Sequence, residues 1–457
     1  MMIKKMGIGF LAGLLLLAVF PSSLHAQAKP NLKGMDITIG NWWENYDVAT
    51  WKPRSDYEEK ELEYRKKIQQ DNNFKIRAKQ IASYEQIAQK TALSIMSAKG
   101  KQKPIADVIA LEPKMVMMMQ KQKLLFPVSD NKLIDFSKTD PIDKGFPPFE
   151  WNKDTIKAFT FGGKGYAFSV GYGSSQHAQV VYWNKRLFRE AGLDPNLPYD
   201  MQKNGTWTWA NFMDICKKLT RDINNDGIID TYAMTMDLST EILDAIVSSN
   251  GANYIDRDAS GKFVNATNRP EFIEALQFAM RFRTEGIAMP RPEISNWDWY
   301  QSQFTNGKVA IRIEPQYVAG QLANMKDDWG MVLPPKGPKA KDYTVYTDEN
   351  VFVIPATYKR DQVEKILYAV KLWSTPLDDN WKANLYHIYR DTRAVDETLA
   401  RIRDPKNQVW KYHLFIPGLE RGDIAWAIWW YEGEPAQLVE SVSQAWNALI
   451  NDANNIK

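Results

Sequence analysis

Cysteine is nearly absent: Cys216 stands alone in 457 residues, which excludes a disulfide framework within the chain. Histidine is scarce as well, with four in all, and His177, His387 and His413 fall in no H-E-x-x-H or comparable metal spacing. Charge of one sign is lacking. The 58 Lys+Arg are nearly matched by 55 Asp+Glu, and two of the lysines, Lys4 and Lys5, sit in the first few residues. A nucleic-acid binder that works through a general basic field is thereby excluded. There is no P-loop and no G-x-S-x-G elbow. Long apolar runs are missing after the N-terminus, so no later segment reads as a membrane span.

What is present begins with that N-terminus. Lys4 and Lys5 precede an apolar stretch, Gly7 to Phe20, which Pro21-Ser22-Ser23 breaks and Ala26-Gln27-Ala28 follows. This is the order of a secretory signal, and the stretch is short of the ~20 residues a bilayer crossing needs. The expectation is a signal peptide over 1–28 and an exported protein, periplasmic or extracellular, that is soluble after cleavage. With 25% charged and 44% hydrophobic residues the remainder is globular, and its length favours two or three domains.

The pattern is α/β. Met35 to Gly40, Phe74 to Ala78 and Ile105 to Leu111 read as strands, separated by helical stretches over Tyr57 to Gln70 and Tyr84 to Ala98. The third strand is almost wholly apolar, as in a parallel sheet covered on both faces. A methionine-rich helix, Pro113 to Leu125, follows. A second α/β rhythm has strands at Gly165–Val170, Val180–Trp183, Val309–Ile313 and Val351–Ile354, and helices at Trp209–Arg221, Pro270–Glu285, Gln362–Ser374 and Pro435–Asn451. Leu333 to Lys341, rich in Pro, Gly and Lys, reads as an exposed loop.

Asp222-Ile223-Asn224-Asn225-Asp226-Gly227-Ile228-Ile229-Asp230 carries oxygen side chains at positions 1, 3, 5 and 9 and Gly at 6, the front of a calcium loop. Asp222, Asn224, Asp226, the Ile228 carbonyl and Asp230 are the candidate ligands of a structural Ca²⁺. The twelfth position is Ala233, so the closing Glu of an EF-hand is missing, and an Asx-rich turn without metal has the same sequence.

Four fragments, in order, carry a family resemblance. Gly163-Lys164-Gly165-Tyr166-Ala167-Phe168 is similar to a G-K-x-Y-G-x-P segment without its proline. Val181 to Leu193 is close to Y-x-N-K-x-L-F-x-E-A-G-L. Thr206-Trp207-Thr208-Trp209-Ala210-Asn211-Phe212 is similar to P-x-T-W-D-E-F, and Phe304 to Ile311 to F-x-x-G-K-A-A-M. Together they resemble the extracellular solute-binding proteins of ABC importers, in the maltose-binding-protein-like sugar family. The resemblance implies a two-lobed periplasmic-binding-protein-like α/β fold with a hinge and a ligand cleft between the lobes. It places 29–170 plus 303–358 in lobe one and 171–302 plus 359–457 in lobe two. It implies a monomer that delivers its ligand to a membrane permease and has no enzymatic activity.

Sugars pack C–H faces on flat rings and need oriented polar partners. The aromatic content, 17 Trp, 20 Tyr and 19 Phe, is therefore informative. Trp42, Trp43 and Glu44 follow the first strand, and Glu112 ends the third. Tyr172 follows the crossover. Trp297, Trp299 and Tyr300 form a polar aromatic segment, Tyr317 follows a strand, and Trp426, Trp429 and Trp430 lie near the C-terminus. These are the candidate ligand contacts. Trp183, Trp373, Trp381 and Trp446 sit in helix or strand patterns and read as core. The aromatic surplus and the length favour an oligosaccharide, and Arg312 or Lys114 is available to an anionic ligand. The competing class is a secreted carbohydrate-active hydrolase or lyase using a carboxylate pair among the 55 acids.

Overall fold

The computed structural model describes residues 30–98, 102–129, 133, 149–171, 177–235, 239–293, 295–296, 298–377, 380–430 and 433–456. The first sheet is built as the sequence predicts. Met35–Asn41 pairs in parallel with Phe74–Gln80 along its whole length and with Val108–Leu111 on the other side. The edge strand Val351–Val353 runs antiparallel to Val108–Leu111. All four residues of Val108–Leu111 are buried, as an inner strand with helices on both faces requires. The helix Asp56–Asp71 starts where Ser55 accepts a hydrogen bond from the Glu58 amide, with three acids in its first turn against the positive end of the helix dipole. Tyr84–Ser97 and Pro113–Lys121 are the next two helices, and proline at the first turn opens the second of them.

The second sheet has Gln179–Asn184 at its centre, with all six residues buried. Ile311–Pro315 and Trp329–Val332 flank it, both antiparallel. Gly330 lies opposite Trp183, and a Cβ there would stand 2.2 Å from the indole, so this position needs glycine. Helices Trp209–Leu219, Ser239–Ser249, Pro270–Thr284, Gly422–Trp430 and Pro435–Asn454 pack around this lobe.

The chain is shared between the lobes differently from the expected boundaries. The stretch 303–358 was expected in lobe one, yet Ile311–Pro315 and Trp329–Val332 join the second sheet, and only Val351–Val353 returns to the first. The helix Arg360–Trp373, expected in lobe two, buries Val363, Ile366, Leu367 and Val370 against Ile37, Ile39 and Ile76 of lobe one. Motif order does not say which sheet a returning strand joins; backbone pairing and the partner of the apolar helix face do.

Two local readings also change. Gly165–Val170 is not a continuous strand. Lys164–Gly165 forms a short one, and Phe168 and Val170 make isolated bridges to Phe352 and Trp151. The segment from Leu333 is not wholly exposed: Leu333 and Gly337 are buried, because the Trp207 indole donates to the Leu333 carbonyl and the Gly337 amide to Ser249. Among the described residues no helix is long and apolar enough to cross a membrane.

Candidate functional site

The C-terminal ends of the first sheet form one wall. Asn41 ends its strand and accepts hydrogen bonds on Oδ1 from the amides of Trp43 (2.9 Å) and Glu44 (2.8 Å). This Asx turn makes the chain leave the sheet with two indoles in succession. Trp42 is half-buried and meets Trp43 and Tyr84 edge-on, at centroid distances of 4.8 and 5.7 Å. Trp43 is 47% exposed. The Tyr84 hydroxyl donates to Glu112 at 2.9 Å, and Lys114 Nζ lies 3.6 Å from the same carboxylate. Trp42, Trp43, Glu44 and Glu112 thus share a wall, to which Tyr84 and Lys114 add a polar base.

The opposite wall belongs to the second lobe. Tyr317, half-exposed, stands against the His177 ring at 5.7 Å between centroids. His177 Nδ1 is 3.0 Å from Asp348 Oδ2, and Asp348 Oδ1 is 3.1 Å from Lys411 Nζ. Lys411 faces Glu241 at 3.7 Å, and Arg421 bridges Glu241 and Asp244. Gln179 donates to Glu241 from the start of the central strand. Glu112, on the first wall, is the smallest of the influences on the proton affinity of His177, well after Asp348.

Burial sets the electrostatics of this chain of charges. It disfavours the charged form of Asp348, but Lys411 and His177 overrule it and hold the carboxyl well below the usual range. It likewise disfavours charged Lys411, but Asp348 and Glu241 raise the ammonium above its ordinary value. Asp244 is pushed up to about 6 because burial outweighs Arg421. Glu349 is pushed up to about 7, burial outweighing the hydroxyls of Ser169 (2.8 Å) and Thr155 (3.0 Å) that donate to it. The intact chain of alternating signs is what makes so many buried charges tolerable.

Several expected contacts lie elsewhere. Trp299 and Tyr300 are buried, and the Tyr300 hydroxyl donates to Glu314 (3.3 Å). The Tyr300 ring lies under Arg312, and Trp299 is buried as well, so neither ring is exposed. Trp429 is fully buried and stacks on Phe282 at 6.0 Å. Trp426, on the same helix, is 57% exposed. Tyr172, Trp297 and the side chain of Trp430 lie outside the described residues. The tryptophans read as core behave so: Trp183, Trp373 and Trp446 are buried and Trp381 packs on the core.

The sequence reading missed Tyr84, Asp348, Lys411, Glu241 and Arg421, and weighed His177 only as a metal ligand. Their only signal was residue type, since they are brought together from five separate segments. A cavity of about 670 Å³ lined by Trp209, Glu274, Phe278, Arg281 and Lys336 shares no residue with either wall.

In the aspartate loop, Asp222 accepts from the amides of Asp226 (3.2 Å) and Gly227 (2.8 Å), and Asp230 from that of Ile223 (2.8 Å). Gly227 takes the left-handed φ of +87° that the turn needs. The donors are of the kind calcium takes, but they have not closed into a shell: among the described residues no three His, Cys, Asp or Glu side chains converge on a metal position.

Two α/β lobes that each carry rings and polar groups at strand ends have the fold of the two-lobed periplasmic binding proteins. The chain belongs to the bacterial extracellular solute-binding protein family, whose model matches residues 63–369. It is a solute-binding protein of this family and not a carbohydrate-active enzyme. A comparison with curated protein sequences returns no match. Among solved structures, it is similar to an ABC substrate-binding protein from Listeria monocytogenes in complex with cycloalternan. The identity is 16% and the TM-score 0.57, over 93% of this chain and 100% of that one. It is also similar to UgpB from Mycobacterium tuberculosis in complex with glycerophosphocholine, at 16% identity and TM-score 0.61 over 86% and 95% of the two chains. A third likeness is to the cyclic alpha-maltosyl-1,6-maltose binding protein from Arthrobacter globiformis, at 15% identity and TM-score 0.60 over 92% and 100%. At these identities the likeness is one of fold.

Proposed function

We propose that this protein is the solute-capturing component of an ABC importer and that its solute is a carbohydrate, in the first instance an oligosaccharide. The observation that carries the reading is the pairing of an exposed ring on each wall, Trp43 and Tyr317, with polar side chains behind both. Rings take the C–H faces of a sugar, and carboxylates, imidazole and ammonium take its hydroxyls. The cycloalternan complex of the Listeria protein and the cyclic alpha-maltosyl-1,6-maltose binding protein of Arthrobacter support it, and the glycerophosphocholine complex defines the competing ligand. Closure of the lobes around the solute is then the signal read by the membrane permease. Residues 1–28 act as a secretory signal, and the mature chain works as a monomer outside the cytoplasmic membrane.

A thermal-shift screen of mono- and oligosaccharides tests the ligand class. A saturating ligand at 100 times its Kd stabilises by about 2.7 kcal/mol. If glycerophosphocholine shifts the melting curve and no saccharide does, the carbohydrate reading is wrong.

For the aspartate loop we propose a structural calcium ion. Binding draws Asp222, Asn224, Asp226, the Ile228 carbonyl and Asp230 together and orders the turn, with no part in ligand capture. Calcium should raise the melting temperature and chelator reverse it, while Asp226→Ala removes the difference. A melting curve indifferent to both leaves an ordinary Asx turn.

A further inference from the structure

We propose that His177 is a ligand-contacting residue of the cleft: its Nε2 edge faces the bound solute beside Tyr317, while Asp348 fixes the opposite edge of the ring. The proposal rests on the carbohydrate reading above and adds the residue that sets which hydrogen bonds the solute makes. The geometry is as follows. Nδ1 is taken by Asp348 at 3.0 Å. Among the described residues the one hydrogen bond made by the ring is that at Nδ1, and the side chain keeps 20% of its surface exposed. The Tyr317 ring stands edge-on to the imidazole. His177 therefore lies beside the exposed ring of the second wall, and its ring is held in place, because Asp348 is itself anchored by Lys411 and Lys411 by Glu241.

The anchoring decides the chemistry at the free edge. The charged and titratable groups that act on the ring are Asp348 and Lys411, Tyr317, Glu349 and, from the first lobe, Glu112. Burial disfavours the charged ring, but Asp348 outweighs it and the net shift is upward from 6.5. Charged His177 donates at both nitrogens. When it loses a proton, the Asp348 carboxylate retains the one on Nδ1, so Nε2 changes from donor to acceptor. The charged donor is fully present below the ordinary histidine value and is lost as pH rises through the raised one. A solute oxygen that accepts from Nε2–H thus loses a charge-assisted bond at alkaline pH.

The test uses the full mature chain, with cycloalternan, cyclic maltosyl-maltose, maltotetraose and mannotriose, the first to bind serving as the probe. Two measurements are made: diethyl pyrocarbonate modification mapped by mass spectrometry, and calorimetric Kd across pH. His177 should react in the free protein and be protected by the probe, while buried His413 stays unmodified. The Kd should weaken about fivefold as His177 discharges, the worth of about 1 kcal/mol between a charged and a neutral hydrogen bond. In His177→Gln that pH dependence should vanish; the melting temperature should fall, because Asp348 keeps only Lys411, and circular dichroism confirms that the variant is folded at the temperature of the binding measurement. Asp348→Asn, which frees the tautomer, should flatten it too. A probe whose binding is unchanged in His177→Gln, or a His177 that the probe leaves reactive, overturns this inference alone. Binding by none of the four saccharides overturns the carbohydrate reading and this inference with it.

Discussion

At the scale of the residue, exposure separates rings of the same type. Trp43 and Trp429 were equally attractive in the sequence, because each follows another apolar or aromatic residue in a polar context. Asn41 turns Trp43 outward, whereas Trp429 lies on the helix face that packs on Phe282. Their substitutions should therefore act on different quantities. Trp43→Ala should weaken saccharide binding about tenfold by calorimetry, the loss of one stacked ring, with little change in melting temperature. Trp429→Ala should cost about 3–5 kcal/mol in denaturant unfolding, as deletion of a fully buried indole does. Equal effects of the two on binding, at equal stability, would contradict the assignment of the walls.

At the scale of the element, the segment joining the lobes carries one buried acid. Glu349, just before the Val351–Val353 strand, receives hydrogen bonds from Ser169 on the crossover and from Thr155 in the short helix Lys153–Ala158. Its carboxyl is raised to about 7 from 4.5, so the folded state holds a proton that the unfolded chain has released. Stability from this group is present below about pH 4.5 and is lost as pH rises through about 7. Glu349→Gln should remove that loss, which chemical denaturation at about pH 5 and pH 8 measures. A wild type and variant with the same pH slope would show that Glu349 titrates normally. None of this was legible in the sequence, where Glu349 is one acid among 55. The parallel sheet of lobe one was legible, because apolar runs of strand length alternating with amphipathic helices leave few other folds.

At the scale of the whole molecule, two lobes that enclose a solute between them must move relative to each other. Small-angle scattering should show a smaller radius of gyration with saturating saccharide than without. An unchanged radius together with tight binding would remove the hinge from the mechanism. The sequence by itself determined the α/β class, the order of the elements and the family, since periodicity and short motifs are local properties of the chain. It also placed Trp42, Trp43, Glu112 and Tyr317 at strand ends, where such a fold carries its ligand. The tertiary structure decided which sheet each returning segment joins, and it moved Ile311–Pro315 and Arg360–Trp373 across the expected boundary. It also decided which rings keep a free face, and it assembled His177, Asp348, Lys411, Glu241 and Arg421 into one chain of charges. The physical reason is that pairing, burial and electrostatic coupling are relations between residues far apart in sequence, and no local pattern encodes them.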